Sequence, residues 1–426
     1  MTTEIRCTVA LLLAAGIAAC ARQPAAPAAT AASPAAKTAP ETAARTITVA
    51  PWSLPVDAAQ QPDLAVAPDG SVLLSWIEQD GDAQHLRFAR WRDGHWTGPQ
   101  SIANGEGIGN TADMPHVRET PDGALWATWL RRGSGGSARD VVLARSSDDG
   151  RTWSTPVAVN TDGTATEHGF AALWPEGRDS IGIAWLDGRA TEGHTMQGMD
   201  HGERGATMLR GATFDANLAR HNERVLDVST CDCCQTDVVD LDGPTVVYRA
   251  RRAGNVRDIA LLRRSATGWS TPHAVHDDHW SIDACPVNGP AITASGRSTT
   301  VAWYTMPAST PLVRVATSAD GGANFAPAHE LATGTGVLGR LDAAADARGV
   351  WLSWLEEQGD GQRLRVARLP TGSATPSSIR DVANVGGRGR GTGWPRMVAA
   401  ADGAHVVWTD VIGGRPHLRG ATLAEK

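Results

Sequence analysis

The chemistry this chain can offer is concentrated in its sulfur and its arginines. Cys231, Cys233 and Cys234 fall in one Cys-x-Cys-Cys run, and Cys285 follows some fifty residues on. In an oxidising compartment such a set predicts disulfides. Of the three ways to pair four cysteines, one demands a vicinal bridge between Cys233 and Cys234, so at least one bridge to Cys285 is favoured. The other chemistry is soft-metal binding. His194-Thr-Met196-Gln-Gly-Met199-Asp-His201 adds imidazoles and thioethers to the thiols, and that donor set suits Cu(I) rather than hard ions. Cys-x-Cys-Cys matches no standard zinc spacing, and no Cys-x-x-Cys-His is present for haem attachment. A second set of functional groups is scattered along the chain: Asp113, His116, Glu167, Asp187, Arg189, Arg249, Arg251, Tyr304, Arg340 and Arg396.

A repeat places these groups together. A Gly turn, a β-rich run and an aromatic anchor recur as Leu-Ser-Trp76, Ala-Thr-Trp129, Ile-Ala-Trp185, Val-Val-Tyr248, Val-Ala-Trp303, Leu-Ser-Trp354 and Val-Val-Trp408. Turns such as Asp69-Gly70, Asp122-Gly123 and Asp402-Gly403 precede the anchors, whose spacings run from 51 to 63 residues. That period suits a four-stranded propeller blade. Runs such as Leu86-Arg-Phe88 and Leu364-Arg-Val-Ala-Arg alternate as half-buried strands do, and no helix-period stretch interrupts them. The chain therefore reads as an all-β propeller of seven blades, with six as the alternative. Thr46-Ile-Thr-Val-Ala50 supplies the strand that the last unit lacks, which pairs an otherwise open edge. In such a ring, ligands bind where the inner strands begin and where the loops after the second strands emerge. All ten scattered groups map to those places. Cys231 to Cys234 and Cys285, nine to eleven residues or so before their Gly turns, start neighbouring inner strands on the same rim. The plainer reading of this polar rim is a set of ring-closing salt bridges and hydrogen bonds.

Two turns are sharper. Ser146-Ser-Asp148-Asp-Gly150-Arg-Thr-Trp153 and Ser318-Ala-Asp320-Gly-Gly322-Ala-Asn-Phe325 fit Ser-x-Asp-x-Gly-x-(Thr/Asn)-(Trp/Phe). In this motif the carboxylate accepts backbone N–H groups, Gly takes a positive φ and the aromatic plugs between strands. Here the chain resembles the sialidase-like propellers that carry Asp-box (BNR) repeats, over residues 46–426. The resemblance implies that these turns are structural and lie opposite the active face. It also implies what an exo-α-sialidase would need: three Arg to clamp a carboxylate, a Tyr nucleophile polarised by Glu and an Asp acid/base. Arg189, Arg249, Arg251, Arg340 and Arg396 supply the first. Tyr248 and Tyr304, the two tyrosines of the chain, both sit at or beside a repeat anchor, and no Arg-Ile-Pro motif occurs.

The chain's beginning bears on location. Val9–Ala19 is an apolar run of signal-peptide length ending at Ile17-Ala-Ala-Cys20, which resembles a lipobox. The expected organisation is a signal peptide over 1–19, a lipidated Cys20 with an Ala/Pro-rich tether to 45, and the propeller from 46 to 426. Ala21 after the Cys points to the outer membrane, facing the periplasm. Net charge is −7 with no basic stripe, which argues against nucleic acid as a partner. The reading placed first is a lipid-anchored propeller that binds a small glycan or other anionic ligand, or a partner, on its channel rim. A planar guanidinium fork suits such a carboxylate, and the rim is rich in them. A sialidase-type glycoside hydrolase and a periplasmic copper-binding protein are the alternatives.

Overall fold

A computed structural model describes residues 46–105, 107–109, 112–133, 135, 138–193 and 205–426. The expected signal peptide, Cys20, the tether and the His194–His201 segment lie outside these residues. Seven antiparallel sheets follow one another along the chain, and each anchor sits in the second strand of its sheet. Those second strands are Val72–Asp80, Leu125–Arg132, Ser180–Asp187, Pro244–Arg249, Ser298–Thr305, Gly349–Gln358 and Gly403–Ile412, in blades 1 to 7. Every anchor is buried, Trp76, Trp185, Trp303, Trp354 and Tyr248 completely. Among the described residues, helical structure is confined to three single 3-10 turns.

The strand at the chain's other end closes the ring. Ile47–Pro51 pairs antiparallel with the outer part of blade 7, Ile47 opposite Glu425 and Pro51 opposite Ala421. The seventh blade is thus built from both ends of the propeller segment, and the strand Arg415–Glu425 gains a partner on its outer edge.

Two Asp-box turns lock neighbouring blades. In blade 2 the Ser146 hydroxyl donates to Asp148 Oδ1 (2.8 Å), while the Gly150 and Thr152 N–H groups donate to Ser146 Oγ and Asp148 Oδ1 (both 2.9 Å). Gly150 has φ +81°, and a Cβ there would lie 2.2 Å from the Phe88 ring of blade 1. Phe88 meets Trp153 edge-on at 6.0 Å. Ser318, Asp320 and Gly322 repeat the same bonds in blade 5, with Phe325 packed on the Leu261 core of blade 4. These accepted hydrogen bonds hold the Asp148 carboxyl down at about 2 and Asp320 lower still.

The inner strands carry a recurrent bulge. Pairing slips between Gln60 and Asp63, Gly169 and Ala172, Gly339 and Asp342, and Gly393 and Arg396. The second residue of each bulge is left-handed: Gln61, Phe170, Arg340 and Trp394 have φ between 50° and 54°. A non-Gly residue held this way costs roughly 1–3 kcal/mol, so neighbouring contacts must over-determine it.

Removing residues 46–51 should therefore expose one edge of blade 7 and cost at least as much as truncating a buried Trp, about 3–5 kcal/mol. Thermal melting, with limited proteolysis to locate new cleavage within residues 393–426, checks this; an unchanged melting temperature would contradict it.

Candidate functional site

The channel is lined by one equivalent residue from each blade, paired opposite the residue that precedes the anchor. These are Asp63, His116, Ala172, Asp237, Ala291, Asp342 and Arg396. Asp63 is the hub. It accepts from His116 Nδ1 (2.9 Å) and Arg118 (2.7 Å), and Arg396 of blade 7 stands 3.8 Å away. Burial would raise the Asp63 carboxyl, but Arg118, His116 and Arg396 outweigh it and hold it well below the carboxylate range. Burial lowers His116, with Asp63 opposing it.

Across the channel the balance is reversed. Burial pushes Asp342 up to about 7 against the pull of Arg396, with Asp237 adding to the rise. Asp113, behind the ring, is raised to about 7 for the same reason, opposed by the Phe170 N–H it accepts. Both carboxyls bridge blades: Phe170 N–H donates to Asp113 (2.6 Å) and Met397 N–H to Asp342 (2.7 Å). Asp237 receives the Ile292 N–H (2.8 Å) in the same manner. Gln61, Gln235, Asn288 and Arg340 make further such latches to the next blade.

Most arginines expected to form an anion-binding rim are committed elsewhere. Arg249 is 1% exposed; its guanidinium donates to the carbonyls of Asn288, Arg257 and Tyr304 at 2.6–3.0 Å and lies over the Trp280 ring. Arg340 donates to the Thr392 carbonyl and stacks on Trp394. Arg251 donates to Asn255 (2.9 Å), and Arg189 forks onto Asp187 (2.7 and 2.8 Å). Asp187 also accepts from its own anchor, Trp185, and faces His168 at 3.7 Å. Arg396 looks into the channel between Asp63 and Asp342. Arg249 and Arg340 thus serve blade junctions, while Arg189 and Arg251 bond to Asp187 and Asn255 of their own blades.

The two tyrosines are held by other contacts. Tyr248 is buried and donates to Asp227 through a short bond, and burial together with that carboxylate raises its phenol well above the usual value. Tyr304, half-buried, turns its hydroxyl toward Met306 and stacks edge-on with Trp280. Among the described residues neither hydroxyl meets a Glu.

A cleft of about 390 Å³ lies among the loops of blade 3 and the start of blade 4. Glu167, Thr166, Thr191 and Thr207 line it from blade 3, and Asp232 from blade 4. Glu167 is raised by desolvation, with Asp232 adding to this and Arg139 and Arg390 opposing it. Glu167 was legible in the sequence as a rim residue. Asp232, hidden between the cysteines, was not singled out, although its place in the same run was the available signal.

The cysteines lie next to Asp232. Cys231, Cys233 and Cys234 are buried, and Cys285 of the neighbouring blade is half-buried. Cys231 Sγ is 3.3 Å from Cys234 Sγ and 3.8 Å from Cys233 Sγ. All four are free thiols in the structure, so the expected bridge to Cys285 is not formed: a disulfide needs about 2.05 Å. The Cys231 sulfur is within hydrogen-bonding reach of Cys233 and Cys234, and Arg257 Nη1 lies 3.0 Å from it. These contacts hold Cys231 well below the ordinary thiol value, while its two neighbours are raised.

The channel carboxyls predict a pH dependence. Asp342 has a folded value above its unfolded one, so its contribution is complete at acidic pH and declines as pH rises through about 7. Asp342→Asn keeps an acceptor for Met397 and removes the charge. It should stabilise the protein at pH 8 by about 1–3 kcal/mol and change little at pH 4.5. Denaturant melts at the two values check the sign; equal effects at both would contradict it.

No family model and no curated protein sequence matches the chain. Solved structures do. A protein of unknown function from Dyadobacter fermentans is 14% identical, aligned over 90% of this chain and all of its own, with a TM-score of 0.50. The polysaccharide lyase Uly1 is 8% identical over 85% of this chain and 89% of its own, with a TM-score of 0.52. A mutant Trypanosoma rangeli sialidase is 12% identical over 72% of this chain and 53% of its own, at a TM-score of 0.45. Seven four-stranded blades around one channel, with Asp-box turns between them, make the chain a sialidase-like β-propeller in fold.

Proposed function

We propose that this chain is an exported, lipid-anchored propeller that binds a neutral, hydroxyl-rich glycan in the cleft of blades 3 and 4. The observation that carries the reading is the cleft itself: an open cavity of about 390 Å³ whose lining offers Glu167, Asp232 and three threonines. Carboxylates accept hydrogen bonds from sugar hydroxyls, and threonines both donate and accept. Two carboxylates facing one cavity repel an anion, so a neutral saccharide fits better than an acidic one. The arginines that would have favoured an anionic ligand are engaged with main-chain carbonyls or with Asp187. A propeller of the same fold, Uly1, is by name a polysaccharide lyase, an analogy of fold that agrees with a carbohydrate ligand. Hydrolysis of the sialidase type is not part of the reading, because Tyr248 is sequestered by Asp227 and Tyr304 has no carboxylate partner among the described residues.

Screening the soluble propeller on an array of neutral and acidic oligosaccharides should yield binding to neutral members. Glu167→Gln and Asp232→Asn should each weaken that binding about tenfold, since a hydrogen bond to a charged group is worth about 1.5–3 kcal/mol, without lowering the melting temperature. Absence of binding across the array, or affinity indifferent to both variants, would overturn the assignment.

Anchoring is tested separately. Ile17-Ala-Ala-Cys20 supports acylation at Cys20. Cys20→Ala should move the protein from the membrane fraction to the soluble one, and a variant that stays with the membrane would refute the anchor.

A further inference from the structure

A buried guanidinium aimed at sulfur is the feature that neither the fold nor the cleft explains. Arg257 is 4% exposed, its Nε has no hydrogen-bond partner, and its Nη1 reaches the Cys231 sulfur at 3.0 Å. Its nearest carboxylate, Asp232, is 3.9 Å away. That carboxylate stands farther off than the sulfur, so the group directly in front of the buried cation is Cys231, one of three clustered thiols. Thiols that serve as small apolar fillers would not need that charge beside them.

The sulfurs are spaced as ligands. Cys231, Cys233 and Cys234 have Sγ atoms within 4.8 Å of one another, two of the separations being 3.3 and 3.8 Å. With metal–sulfur bonds of about 2.3 Å, three ligands around one ion stand about 4.0 Å apart, so metal entry asks for sub-ångström adjustments. The fourth cysteine is not part of that set. Cys285 groups with Cys233 and Asp232 instead, and no four-sulfur group closes within the same distance among the described residues. The prearranged geometry is therefore three-coordinate and all-sulfur. A structural zinc site wants four ligands in a tetrahedron, whereas soft thiolates in low coordination favour a monovalent soft ion. Three thiolates around a single positive charge leave two negative charges, and Arg257 with the neighbouring Arg249 supplies two positive ones.

We propose that Cys231, Cys233 and Cys234 form a three-thiolate site for one Cu(I) ion, charge-balanced by Arg257, with Cys285 outside the first coordination shell. Binding exchanges thiol protons for the ion and involves no electron transfer, because the copper enters as Cu(I). This inference does not rest on the glycan cleft, and its test leaves Glu167 untouched.

The experiment uses reduced propeller, anaerobically titrated with Cu(I) against a chromogenic Cu(I) chelator, followed by alkylation and mass spectrometry. Wild-type protein should withhold one equivalent of Cu(I), and the bound ion should protect three thiols while Cys285 remains reactive. Cys285→Ser should retain the equivalent, and Cys234→Ser should lose at least tenfold in affinity. The alkylation pattern of wild-type protein decides the matter even if Cys234→Ser fails to fold. Four thiols equally reactive with and without Cu(I), retention of Zn(II) in preference to Cu(I), or a Cys231–Cys234 disulfide that survives the reductant and excludes the metal would each overturn the proposal.

Discussion

The structure depends on satisfying polar groups where seven inner strands meet around a channel. Four of these strands, in blades 1, 3, 6 and 7, begin with a bulge that turns backbone N–H groups away from their own sheet, and the free N–H groups of the inner strands need acceptors. The neighbouring blade supplies them: Asp113 for Phe170, Asp237 for Ile292, Asn288 for Arg340 and Asp342 for Met397. Asp63 completes the circuit by joining blade 7 through Arg396 to blade 2 through His116 and Arg118. The ring is closed in this way through hydrogen bonds and ion pairs between neighbouring blades. It also carries more carboxyls than cations, and the ones without a close guanidinium become reluctant to ionise.

This circuit explains why functional groups crowd the rim without all being functional. Arg249 and Arg340 stand where a ligand-binding fork would stand, yet their donors reach main-chain carbonyls of the adjoining blade and their planes stack on Trp280 and Trp394. A guanidinium is well suited to that work, because its fork and flat face can be used together. Rim polarity is thus mostly the cost of closing the ring. The cleft beside blade 3 differs, since the Glu167 and Asp232 side chains face open volume rather than a junction.

The sequence carried the architecture because the architecture is periodic. Gly turns, alternating runs and the anchors at Trp76 through Trp408 each report a local requirement that every blade repeats, and Ile47–Ala50 could be recognised as a missing strand for the same reason. The rim positions of Asp113, His116, Glu167 and Arg396 followed by counting back from those turns. Their partners did not follow, because a bulge shifts the register locally and a one-residue shift changes which face a side chain occupies. Asp63 and Asp237 were overlooked although they are equivalent to Asp342. Each pairs opposite the residue before an anchor, a relation that alternation alone contains.

The thiols show the opposite case, a feature that periodicity cannot generate. Cysteine stands at the start of the inner strands of blades 4 and 5 and of no other blade. Blade 4 loses the usual Trp to Tyr248 at the same time, and its phenol is taken up by Asp227, which is also the partner of Arg252. Blade 4 therefore departs from the repeat at its anchor, its rim and its charge pairing together, whereas blades 1, 6 and 7 keep Trp anchors and carry only ring-closing polar groups at the channel. In a repeat protein the stability requirement is the same for every unit, so a unit that breaks the pattern three times answers to something other than stability. Asp232 ties the two unusual features of that region together: it lines the cleft on one side, and on the other it lies 3.8 Å from the Cys285 sulfur and 3.9 Å from Arg257. Asp232 thus connects the surroundings of the sulfurs with the cleft, on a blade whose Asp237, Gln235 and Arg249 also take part in closing the ring.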